Sequence, residues 1–158
     1  MCILQSVAVL VLIVGPSFIL GQIPKERTEL ERSLDKAGYS IRLRTVVSVS
    51  AWEKERFDLQ SKYRLEVRSR THVPQKPNHF YRYTVDLEVF ENDIDAVERL
   101  KNLKELPPGV DDKKGAEYLL RDGFRRGNRV YIISTNVAMF SYTGLTELKS
   151  QLERSIRR

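Results

Sequence analysis

Lys62-Tyr63-Arg64-Leu65-Glu66-Val67-Arg68-Ser69-Arg70 and Tyr81-Arg82-Tyr83-Thr84-Val85-Asp86-Leu87-Glu88-Val89 are two segments in which apolar and polar residues alternate. A β-strand points successive side chains to opposite faces, so each segment reads as a strand with one buried and one wet face. Tyr63, Leu65 and Val67 mark the buried face of the first, and Tyr81, Tyr83, Val85 and Leu87 that of the second. Pro74-Gln75-Lys76-Pro77-Asn78, with two prolines and short polar side chains, reads as the loop between them. Upstream, Ile41, Leu43, Thr45, Val47 and Val49 alternate with Arg42, Arg44, Val46, Ser48 and Ser50 as a third strand, and Trp52 to Gln60 reads as a polar connection.

Helical periods flank these strands. Pro24 to Ala37 carries Leu30, Leu34 and Ala37 on one face and ends at Gly38, a residue suited to a helix C-terminus. Asn92 reads as a cap for a helix in which Ile94, Val97, Leu100 and Leu103 form the apolar stripe. Pro107-Pro108-Gly109 stops that helix. A further helix is expected from Asp111 or Asp112, burying Ala116, Leu119 and Leu120 and ending at Gly123. Arg126-Gly127-Asn128 reads as a turn, with Phe124 and Arg125 as a short edge against a strand from Val130 to Val137. That strand opens with a nearly continuous apolar run, the mark of burial on both faces. Leu145, Leu148, Leu152 and Ile156 recur at helical spacing in a final helix.

The expected architecture is therefore a single α+β domain. It has an antiparallel sheet of four or five strands, with the helices packed on one face and the other face largely exposed. Met1 to Gly21 stands apart: it contains no Asp, Glu, Lys or Arg, and 15 of its residues are apolar. Its apolar run ends at Gly15-Pro16-Ser17, which reads as a signal peptide cleaved before Gln22. The alternative is an uncleaved N-terminal membrane anchor, since Ile3 to Leu20 just reaches spanning length. Residues 22–158 then form the exported domain, secreted or periplasmic. Its sequence has no cysteine after Cys2, which excludes disulfides and thiolate chemistry there.

No motif names a reaction. His72 and His79 flank a loop instead of sitting three or four residues apart on a helix, so neither a metal nor another cofactor is expected. Ser134, His72 and the acids are not placed together by any nucleophile motif, and Asp93, Asp95, Asp111 and Asp112 read as helix N-terminal charges. No catalytic residue is assigned. The one residue set with a functional reading is the wet strand face, where Arg42, Arg44, Arg64, Arg68, Arg70 and Arg82 share outward parity, interrupted by Glu66, Asp86 and Glu88. With a net charge of +6, this face suits an anionic surface polymer or lipid, or an acidic envelope protein; no recognition-module signature points to nucleic acid. The expected function is an exported, non-enzymatic binding domain of the cell envelope or the medium. The alternative is a small extracytoplasmic hydrolase or ligand carrier whose site is assembled from scattered residues. Phe80 and Phe90 lie on the wetter parity and are expected to be covered by a neighbouring element.

Overall fold

The two alternating segments become the longest strands of the protein. A computed structural model describes residues 25–74, 76–105, 120–135 and 141–156. Within them the order is α1 (Lys25–Lys36), β1 (Tyr39–Val47), α2 (Ala51–Phe57), β2 (Leu59–Val73), β3 (Lys76–Phe90), α3 (Asp93–Glu105), β4 (Leu120–Arg126), β5 (Arg129–Thr135) and α4 (Ser141–Ser155). The leader, Pro107-Pro108-Gly109, Ala116 and Leu119 lie outside the described residues. The strands form one antiparallel sheet in the order β1-β2-β3-β5-β4. The α+β class and the five-stranded sheet are those expected from the sequence. β5 lies inside the sheet with Val130, Tyr131, Ile132 and Ile133 all buried, as its apolar run implies.

The helices do not share one face. Leu30 and Leu34 of α1 and Leu145, Leu148 and Leu152 of α4 pack on Leu65, Val67, Tyr83, Val85, Leu87, Tyr131 and Ile133. Ala96 and Leu103 of α3 and Phe57 of α2 instead pack with Leu59, Phe90, Val130 and Ile132 on the opposite face. The reason is the run of β5, whose alternate residues are all apolar and need cover on both sides. Phe90 is buried by this second layer. The stripe of α3 is rotated from its expected position: Ala96 and Leu103 are buried, whereas Ile94 is 78% exposed and Val97 50%. Glu88 explains the rotation, because it lies fully buried on the sheet below and holds Arg99 inward with two hydrogen bonds of 2.7 and 3.0 Å.

Three local readings change. The loop is shorter than Pro74 to Asn78, because β3 already begins at Lys76. Trp52 to Gln60 contains helix α2, started by a capping box in which Ser50 Oγ accepts the Glu53 N–H at 3.1 Å and Glu53 accepts the Ser50 N–H at 3.0 Å. Leu120 to Gly123 is strand, not the end of a helix; it pairs with β5 and turns through Gly127 and Asn128. Gly123 is needed there, since a Cβ would stand 2.7 Å from the Tyr131 carbonyl oxygen and 2.9 Å from Leu103 Cδ2. At the other end Gly38 follows α1 with φ of +83°, the left-handed conformation that ends helices.

Candidate functional site

A single extra residue in β1 divides the arginines. Ile41 pairs with Val67 and Leu43 with Glu66, so Arg42 is bulged out of the ladder. Beyond the bulge the parity reverses. Arg44 now stands opposite Leu65, on the α1/α4 face, where it makes two hydrogen bonds of 3.0 and 3.1 Å to Glu31 of α1. The common outward face expected for Arg42, Arg44, Arg64, Arg68, Arg70 and Arg82 is corrected accordingly: Arg44 leaves it. Arg70 leaves it as well. It sits in a second irregularity, where Ser69, Arg70 and Thr71 oppose Tyr81 alone, and its guanidinium reaches Asp35 at the end of α1. Ser69 repairs the interrupted ladder by accepting the Tyr81 N–H at 3.0 Å and donating to the Thr71 carbonyl at 2.7 Å.

Arg64, Arg68 and Arg82 remain on the α2/α3 face, and cross-strand registry sorts them into rows about 7 Å apart. The lowest row places Lys62 beside Glu88 and Val130, and the next Arg64 beside Asp86 and Ile132. These rows are neutralised internally. Arg64 grips Asp86 at 2.7 and 2.9 Å, and Lys62 lies 3.0 Å from Glu53 and 3.1 Å from Glu88. Burial pushes the Glu53 carboxyl up, but the Ser50 backbone and hydroxyl and the Lys62 ammonium more than offset it and hold the group at about 2. Burial likewise depresses the Lys62 ammonium, and the Glu88 and Glu53 carboxylates raise it above its ordinary value. Those rows are structural: every charge in them is used.

The rows above differ. From Val67 to Val85 the chain contains no Asp or Glu but carries Arg68, Arg70, Lys76, Arg82, His72 and His79. β1 pairs with β2 only as far as Ser69, and β5 with β3 only as far as Thr84, so beyond these residues β2 and β3 pair with each other alone among the described residues. The result is a basic two-stranded arm. At its base, where Ser40 of β1 still pairs with Arg68, Arg68 and Arg82 stand directly opposite each other, and neither meets a carboxylate among the described residues. Arg68 lays its guanidinium 3.7 Å from the Phe80 ring centre, while the His72 ring covers Phe80 at 4.5 Å. Phe80 is thus half-buried by side chains of the arm itself.

Signals for part of this arrangement stand in the sequence. The acid-free run is visible there, and so is Ser50-x-x-Glu53 as a capping box. The bulge at Arg42 has no such signal. Away from the arm, an open groove of about 330 Å³ between the ends of α1 and α4 is lined by Ser33, Lys36, Ala37, Gln151, Arg154 and Ser155. Its cations Lys36 and Arg154 lie in the last turns of their helices, where they complement the helix dipoles.

No protein-family model, curated protein or solved structure matches this chain. Fold and site together define its class: an α+β domain with a helical layer on each face of a five-stranded antiparallel sheet and a basic β-arm at one end.

Proposed function

We propose that the protein is an exported, non-enzymatic binding domain whose basic arm engages an anionic surface polymer bearing phosphate, sulfate or carboxylate groups. The observation that carries this reading is the Arg68–Arg82 pair: two like charges directly across a ladder, without a carboxylate among the described residues. Such pairs destabilise a sheet, and an external anion relieves the repulsion. Arginine suits the task because its planar guanidinium binds oxyanions in a bidentate way. An extended polymer fits better than a lipid surface. Interfacial binding joins cations to exposed apolar side chains that insert, whereas the exposed large apolar side chains among the described residues, Leu43, Val46, Trp52, Ile94 and Val97, lie on β1, α2 and α3 and none on the two strands of the arm. Export is part of the proposal, and rests on the apolar leader.

Retention on heparin resin and on phosphatidylglycerol vesicles tests the reading. The protein should bind heparin at low ionic strength more tightly than the vesicles, and R68Q/R82Q should elute at clearly lower salt. Failure of the protein to bind heparin, or tighter binding to vesicles, would overturn it.

A further inference from the structure

We infer that polyanion binding by the arm strengthens in mild acid, with His72 and His79 supplying the added charge; this rests on the binding role proposed above. The chain has two histidines, and the fold puts both on the arm and leaves both exposed. His72 rests on Phe80, whose ring also carries Arg68. His79 donates its Nδ1–H to the Pro77 carbonyl at 3.2 Å, which leaves Nε2 free to take a second proton.

The charged groups around them decide where a new proton's charge is felt. β2 contributes Arg68 and Arg70, and β3 contributes Lys76 and Arg82. Of the helices on the other face, α1 contributes Asp35, which Arg70 engages, and α4, whose Gly144 packs against Tyr81 and Tyr83, contributes Glu147 near Tyr39 and Tyr83. Asp86 is gripped by Arg64, and Glu66 lies two rows below the level of Phe80 or further. Neither histidine has a carboxylate partner in the described residues, so an imidazolium formed here is directed outward to a ligand. Histidine is the side chain whose charge changes between neutral conditions and mild acid. Protonation takes the acid-free stretch from four cations to six. A basic residue close to an anionic surface strengthens binding about five-fold, so two of them give roughly 25-fold.

The test is heparin affinity of the full chain at pH 7.5 and pH 5.5 at one fixed ionic strength, beside H72Q/H79Q, with circular dichroism verifying the fold at both pH values. The expected ratio of affinities, acid over neutral, is about 25 for the protein and close to one for the double variant. A ratio near one in the unaltered protein, or a ratio retained by the double variant, overturns the inference while leaving the binding role intact. Absence of binding at both pH values overturns the binding role itself, and the inference with it.

Discussion

Glu88 is the residue on which the α2/α3 face turns. Its carboxylate is fully buried, accepts two hydrogen bonds from Arg99 and lies 3.1 Å from Lys62. Removing one member of a buried ionic set leaves its partners desolvated without compensation, which costs about 3–5 kcal/mol. Glu88→Gln should therefore lower unfolding free energy by that amount in urea titrations; a loss below about 1 kcal/mol would show that the network is solvated. Glu53 sets the acid limit. Its folded value of about 2 lies below the ordinary range of an unfolded glutamate. A carboxyl depressed on folding contributes stability that is complete above its unfolded value and is lost as pH falls toward the folded one. Stability should thus decline between about pH 5 and pH 2, and Glu53→Gln should flatten part of that decline while costing about 1 kcal/mol at neutral pH through loss of the ion pair with Lys62, since glutamine can still close the capping box. An unchanged acid profile in the variant would assign the decline to other carboxyls.

At the scale of elements, the close approach of α3 and β4 is the tightest constraint. An added methyl at Gly123 meets the Tyr131 carbonyl at 2.7 Å, a backbone atom of the paired strand that cannot swing aside. Gly123→Ala should cost about 1–3 kcal/mol, read as a lower midpoint in thermal unfolding. Arg82→Gln should do the opposite: removing one of two facing like charges should raise stability by a few tenths of a kcal/mol, and a marked loss would mean that Arg82 has an internal partner. Strands β2, β3 and β5 were legible because burial of one or both faces writes a period into their side chains. Helix α2 was hidden by its brevity, and its signal lay in Ser50 and Glu53 instead of an apolar stripe. The rotation of α3 follows from a buried ion pair between residues on separate elements, which no local period records. Arg42 and Arg44 were misplaced because a bulge adds one residue without changing the local pattern, and one residue reverses every side chain after it. Arg68 and Arg82 were placed on their common face because no irregularity lies between them and the regular part of β2 and β3.

The whole molecule separates a charge-balanced body from an arm in which Arg68 and Arg82 have no acidic counterpart. Its leader bears on where that arm works: mass spectrometry of the protein from its native source should find Gln22, or a residue within a few positions, at the N-terminus, and recovery of intact Met1 would contradict cleavage. The division of the arginines is the central claim, and one measurement reaches it most directly. Heparin affinity is followed against salt for the protein, for R68Q/R82Q and for R42Q/R44Q, two double variants that remove the same charge. Counterion release makes the slope of log affinity against log salt report the number of cations that engage the polyanion. The slope should shrink by about two units in R68Q/R82Q and by at most about one in R42Q/R44Q, since Arg44 is held by Glu31 on the other face. Equal losses in the two variants would contradict the account, because they would mean that binding responds to net charge alone and that the bulge at Arg42 sorts nothing.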